Sequence, residues 1–242
     1  MAGIAHLVTC EHGGNRIPGA YRALFRGQAR VLASHRGYDP GALSLARLVA
    51  RRLQAPLVSA TVSRLLVDLN RSIGHPELFS EWSRRASSQA RERIIAAFYA
   101  PFRHRAEELV ARFVAQDKCV LHVSVHTFTP RLAGVVRTAD LGFLYDPARP
   151  QEAAQSARWQ ADLRARLPGL RVRRNYPYRG AADGFTAHLR RRWPAGSYVG
   201  IELEINQAIV HAGGQPWRTL RAALADILTS PTATGESPCR SA

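Results

Sequence analysis

Short apolar, β-branched runs alternate with longer stretches of helical periodicity along almost the whole chain, and this alternation limits the fold more than any other feature. Residues 4–10, 56–62, 65–69, 119–125, 141–144, 170–174 and 198–205 read as strands. Between them, residues 40–53 put Leu43, Leu45, Ala46, Leu48, Val49 and Leu53 on an i, i+3, i+4 stripe. Residues 86–115 turn Ile94, Ile95, Phe98, Phe102, Leu109 and Phe113 inward, with Pro101 marking a kink or break. Residues 151–167, closed by Pro168-Gly169, and residues 181–192 and 217–228 complete the helices, with a loop after residue 205. The pattern predicts an α/β fold: a single domain over 1–229, with a mostly parallel central sheet flanked by helices. Residues 230–242, rich in Ser, Thr, Pro and Gly, read as a disordered tail. In such sheets, ligands bind beyond the carboxyl ends of the strands.

Composition removes several classes. A chain of 242 residues that is 46% hydrophobic can build a sizeable core, and it contains no internal repeat or linker. No apolar run reaches the ~18 residues of a membrane span. The start lacks a basic segment followed by a long apolar one, so no signal peptide is expected and a cytoplasmic location follows. Thirty-four basic residues against 18 acidic ones give a formal charge of +16, which invites a nucleic-acid partner. Only Lys118 is lysine, however, and the arginines are scattered without a basic tail or a recognisable binding motif. No nucleic-acid or membrane partner is expected, and no oligomeric state is specified. Cys10, Cys119 and Cys239 are odd in number and form no CxxC, which predicts reduced thiols and no cysteine zinc site. GxGxxG, GxxxxGKS and GxSxG are all missing.

Polar residues gather where the strands end. The first strand runs into Glu11, His12 and two glycines; the strand at 119–125 runs into His126; Asp68-Leu69-Asn70-Arg71 closes another. Glu202 and Glu204 lie on one face of the last strand because strand side chains alternate. Taken singly, each has an ordinary explanation: His12 as a core or capping histidine, Asp39 as the N-cap of the following helix, Arg71 as a surface ion pair. Glu204 within an apolar strand resists that treatment, since a carboxylate is rarely buried without a partner or a task. Together they suit a metal hydrolase. Two imidazoles, His12 and His126, with a carboxylate from Glu11 or Asp39, make a three-ligand zinc set. Glu204 is placed as general base and then acid, and Arg71, beside Asn70, offers a planar fork for a substrate carboxylate. His122 stands about 13 Å down the strand from His126 and is expected in the core or behind the ligands.

An ordered set of segments carries a family resemblance. VTCEHGGNRIP, YDPGA at 38–42, SRLLVDLNR at 63–71, VHTFTP at 125–130, LGFLYDP at 141–147, NYPY at 175–178 and IELEINQ at 201–207 resemble the N-formylglutamate amidohydrolase family from about residue 7 to 210. The resemblance implies a zinc carboxypeptidase- or aspartoacylase-like α/β fold with one Zn2+ per chain. It also implies hydrolysis of the N-formyl or N-acyl amide of an acidic amino acid, a small anionic substrate. By position it assigns His12 and His126 to the metal, Glu204 to proton transfer, and Asn70 and Arg71 to substrate. Three residues after His12, where the wider superfamily has an acidic ligand, stands Asn15, so the third ligand is expected from Asp39, with Glu11 second. Arg64 is expected to steady the developing oxyanion, with Asn175 and Tyr178 assisting in carboxylate binding. Arg64, Arg71, Arg174 and Arg179 are the arginines placed to draw an anion toward the cleft.

Overall fold

The computed structural model describes residues 3–230. Its central sheet has six strands: β1 (Ile4–Cys10), β2 (Leu57–Ser59), β3 (Cys119–Phe128), β6 (Leu141–Leu144), β7 (Val172–Arg174) and β8 (Tyr198–Asn206), in the order β2-β1-β3-β8-β6-β7. The first four of that order run parallel; β6 lies antiparallel to β8 and parallel to β7. Two short strands, β4 (Arg131–Leu132) and β5 (Val135–Val136), form a separate hairpin after β3.

Alternation along the central strands sorts side chains between two layers. Odd positions of β3 and β8, such as Val123, Val125, Ile201 and Leu203, pack with α2 (Ala42–Leu53), α5 (Pro150–Arg166) and α8 (Gly214–Thr229) in one core. The other face packs Leu7, Val120 and Tyr198 against α4 (Ala100–Val114) and α6 (Phe185–Arg192), with Phe102, Leu109 and Phe185 at the contact. α3 (Ser88–Ile94) enters α4 through one π turn, Ile95–Tyr99, so the helical stretch runs on through Pro101 instead of ending there. A single turn, α1 (Ala29–Leu32), and α7 (Gln207–Ala212) complete the helices. No helix among the described residues is long and apolar enough to cross a membrane.

Four expectations need correction. Residues 65–69 form no strand: Arg64 donates its backbone N–H to Gly37 (3.2 Å) and Asp68 to Leu78 (2.9 Å), so loops take the bonds a ladder would have used. The apolar run is buried nonetheless, because Leu66, Val67 and Leu69 fill the second core. The segment after β8 is α7 rather than a loop, with Asn206 capping it by accepting from the Ala208 N–H. Cys10 is a buried free thiol, but the thiol of Cys119 is not free, so the expectation of reduced cysteines holds at Cys10 and fails at Cys119. Asp39 does not cap α2 with its side chain; Gly41 is the N-cap, at φ 84°, and the Asp39 carboxylate points elsewhere. Cys239 and nearly all of the expected tail lie outside the described residues.

Candidate active site

The face of the sheet covered by α4 and α6 turns polar toward its carboxyl end. On β3, Val120 is followed on the same face by His122, Ser124 and His126; on β8, Tyr198 is followed by Gly200, Glu202 and Glu204. β1 contributes Thr9 and, one step past its end, Glu11, with His12 next. Six of these buried groups, Tyr198, His122, Thr9, Glu11, Ser124 and His126, form one hydrogen-bonded column. His122 bonds the Tyr198 hydroxyl (2.7 Å) and the Thr9 hydroxyl (2.8 Å), and Thr9 donates to Glu11 (2.6 Å). The other Glu11 oxygen accepts from Ser124 (2.9 Å) and stands 3.2 Å from His126 Nε2.

At the top of the column the Oδ2 of Asp39 lies 2.9 Å from His126 Nδ1 and 3.5 Å from His12 Nδ1. One donor atom from each of His12, Asp39 and His126 lies within 4.8 Å of the others. The opposite nitrogen of His12 is held by Asp68 at 2.7 Å, and Arg64 donates to the second Asp68 oxygen at 2.7 Å. Each histidine thus has one nitrogen fixed by a carboxylate and the other turned toward Asp39, the arrangement that orients metal-binding imidazoles. His12 Nδ1 is buried with no hydrogen-bond partner among the described residues, as is Oε2 of Glu204. Two imidazoles and a carboxylate, with a buried donor left unsatisfied, fit a divalent cation of the zinc type.

The electrostatics follow from burial and pairing. Burial works against the charged forms of Glu11, Asp39 and Asp68, yet the neighbouring His and Arg groups overcome it: Glu11 is held at about 2, Asp39 lower still and Asp68 well below its ordinary value. His126 moves up, since its bonds to Asp39 and Glu11 outweigh desolvation. Glu204 goes the other way. Its burial, with Asp39 and Glu202 nearby, raises it to about 8 against the opposing pull of His126.

His122 shows how the column responds to pH. Burial lowers its imidazole to about 4 from 6.5. Between those two values the unfolded chain binds a proton that the folded chain refuses, so stability rises with pH across the window. The contribution is full above 6.5 and is progressively lost as the pH falls to about 4. It amounts to about 3 kcal/mol. His122→Gln is therefore expected to lose less melting temperature than the wild type between pH 6.5 and 4. Parallel acid limbs in a thermal-melt series would remove His122 from the account.

A cavity of ≈ 320 Å³ brings together His12, Asp39, His126, Glu204, Arg64, Asn70, Arg71 and Tyr178, and adds Arg179 and Glu202. Asn70 accepts the Phe185 N–H on Oδ1 (2.6 Å), which turns its NH2 end the other way. Arg71 donates to the Asp183 carbonyl (3.1 Å) and to Glu77 (3.3 Å). Three expected residues, Glu11, Asn175 and Arg174, stand apart from this lining. Glu11 faces the far nitrogen of His126, behind the cluster, with both oxygens engaged. Asn175 adopts φ 49° and spends its side-chain oxygen on the backbone N–H groups of Tyr145 (3.0 Å) and Gly180 (3.1 Å), so it shapes the loop rather than lining the cavity. Arg174 is likewise not in the lining. Asn15 lies outside as well, donating to the Leu32 carbonyl at 3.1 Å. The Asp68 carboxylate orients His12 and Arg64. Ser124 escaped sequence reasoning, although its place between His122 and His126 in the period-2 pattern marked its face.

A metal-type cluster, a raised carboxyl and cationic side chains meet in one cavity at the carboxyl ends of an α/β sheet. Residues 4–210 match the N-formylglutamate amidohydrolase family. The chain belongs to that family and is a hydrolase acting on an amide bond. The structure of gene product Atu2144 from Agrobacterium tumefaciens is similar at TM-score 0.77 and 30% identity, over 94% of this chain and 90% of that one. N-formylglutamate amidohydrolase from Ralstonia eutropha JMP134 shares the fold at TM-score 0.71 and 18% identity, over 95% and 93%. No curated protein matches the chain.

Proposed function

We propose that this chain is a zinc-dependent amidohydrolase, with one Zn2+ per chain, that cleaves the N-formyl or N-acyl amide of an acidic amino acid such as glutamate. The observation that carries the reading is the convergence of His12, Asp39 and His126 beside a buried Glu204, in one cavity with Asn70, Arg71 and Arg179. His12, Asp39 and His126 are the proposed ligands, because Glu11 is committed behind His126. Bound there, the ion supplies Lewis acidity, lowering the pKa of a water and polarising the amide carbonyl. Asp68 and Glu11 hold the two imidazoles in orientation, each from the nitrogen away from Asp39. Glu204, buried on β8 and lining the cavity, is placed to take a proton from water and return it to the leaving nitrogen. Arg64, fixed by Asp68, presents Nη1 3.6 Å from Asp39 and is placed to steady negative charge growing on the carbonyl oxygen. Arg71, with Asn70 and Tyr178, receives the carboxylates. The enzyme is taken to be cytoplasmic, with a small anionic substrate and no nucleic-acid or membrane partner.

Metal content and chelation test this directly. The purified protein should carry about one zinc per chain, lose hydrolysis of N-formyl-L-glutamate on chelation and regain it with zinc. Asp39→Ala should abolish metal retention, whereas Glu11→Gln should weaken it by about 10–100-fold, the range for losing a group behind a ligand. Undiminished turnover after chelation, or a zinc-loaded protein that hydrolyses no N-acyl amino acid, would overturn the reading.

A further inference from the structure

Behind the cavity, α4 buries a cation that has no carboxylate to pair with. Arg103 is 3% exposed, and no ion pair joins it among the described residues. A guanidinium is costly to bury in that state, because its charge leaves water and meets only dipoles. Its Nη2 has no hydrogen-bond partner among the described residues. Its Nη1 donates to the Arg71 carbonyl (2.8 Å) and to the Tyr99 hydroxyl. The Tyr99 hydroxyl donates to that same carbonyl, also at 2.8 Å. Tyr99 closes the π turn that leads into α4, a geometry found often at functional sites.

The same guanidinium bears on Asn70 by a second route. It lies over the Phe185 ring, 4.7 Å from the centroid, and the Phe185 backbone N–H donates to Asn70 Oδ1 at 2.6 Å. Residues 70–72 belong to no helix or strand, so no ladder of backbone bonds holds them. Side chains hold them instead: Asp68 accepts the Asn70 N–H (2.9 Å), and Asp183 accepts both the N–H (3.0 Å) and the hydroxyl (2.5 Å) of Ser72. Asn70 and Arg71 line the catalytic cavity, whereas Tyr99 and Arg103 do not. We propose that Arg103, with Tyr99, is a positioning residue for substrate recognition, holding residues 70 and 71 so that the Arg71 guanidinium and the Asn70 amide meet the substrate carboxylate already in place. A loop ordered before the substrate arrives spares binding the entropy of ordering it. This rests on the amidohydrolase reading above, in which Asn70 and Arg71 receive the carboxylates.

The test measures kcat and KM for N-formyl-L-glutamate on the zinc-loaded enzyme, and the dissociation constant of the same compound on the Glu204→Gln background. Arg103→Met keeps an unbranched stem beside the two rings and removes the donor. It is expected to raise KM and the dissociation constant about tenfold, the scale of one charge-assisted hydrogen bond, with kcat within about twofold of wild type. Tyr99→Phe deletes a single hydroxyl, serves if Arg103→Met folds poorly, and should raise both constants about threefold. Placed on Arg71→Ala, Arg103→Met should lose most of its effect, because the side chain it positions is gone. A merely structural role would instead lower the active fraction, and with it kcat, leave KM alone, and act equally in both backgrounds. That pattern, or constants unmoved by both variants while Arg71→Ala raises them, would overturn this inference alone. Wild-type KM and affinity in Arg71→Ala, or a wild-type enzyme that neither binds nor hydrolyses N-formyl-L-glutamate, would overturn the substrate assignment of the amidohydrolase reading and this inference with it.

Discussion

Glu204→Gln is expected to lower kcat by about 10³-fold while zinc content and substrate affinity stay at wild-type levels. The amide has nearly the shape of the carboxyl and cannot accept and return the proton. Glu204 sits in β8 opposite His126 of β3, buried, with Oε2 lacking a partner among the described residues, so folding gains little from its charge. The melting temperature of the variant should therefore change little, because the amide replaces a carboxyl of nearly the same shape that has an unpartnered buried oxygen. Activity kept for function at the expense of stability is a common signature of working sites. A variant that turns over normally would move the proton role elsewhere, with Glu202, two residues back on the same face, the next carboxylate to replace.

Glu152→Ala is expected to cost about 3–5 kcal/mol, the scale of stranding a buried charge by removing its partner. Glu152 on α5 is fully buried and accepts from Arg190 Nε at 2.9 Å, from the Gly200 N–H at 3.0 Å and from the Asp146 N–H at 2.9 Å. Arg190 on α6 in turn donates to the carbonyls of Gly180 (2.6 Å) and Gly200 (2.8 Å). The pair thus ties β8 to the loop that carries Tyr178 and Arg179 into the cavity. Thermal melts should show a drop of about 10 °C, and the loosened loop should raise KM. As a contrast, Arg166→Ala breaks an exposed 3.3 Å pair with Asp226 and should cost less than about 1 kcal/mol. Equal losses in the two variants would remove the clamp from the account.

Local pattern carried the elements whose core contacts repeat regularly. β1 and β6 fall on the expected residues and α2 and α5 within two of them, while the helix marked for a kink or break at Pro101 carries a π turn just before it and continues. Pattern failed at residues 65–69, where an apolar run is buried by packing under loops instead of by pairing in a sheet. A hydrophobic run reports burial, and only the hydrogen-bond partner, which is remote in sequence, reports a strand. The strand at 119–125 continued to Phe128, which put His126 inside β3 with its ring against the site rather than in a loop beyond it.

The sequence by itself determined that a mostly parallel α/β sheet would bring His12, His126 and Glu204 to its strand ends, because residue type and strand period are local properties, whereas Asn70 and Arg71 reach the same cavity from a loop. Only the tertiary structure decided that Asp39 meets both histidines while Glu11 stands behind His126, that Asp68 orients His12, and that Asn175 serves its loop. Those distinctions depend on contacts between residues far apart in sequence, 56 for His12 with Asp68 and 87 for His126 with Asp39. No periodicity encodes which oxygen faces which nitrogen across that separation. Carboxylates that are interchangeable as letters acquire different roles once packing fixes their direction and removes the water that would have made them equivalent.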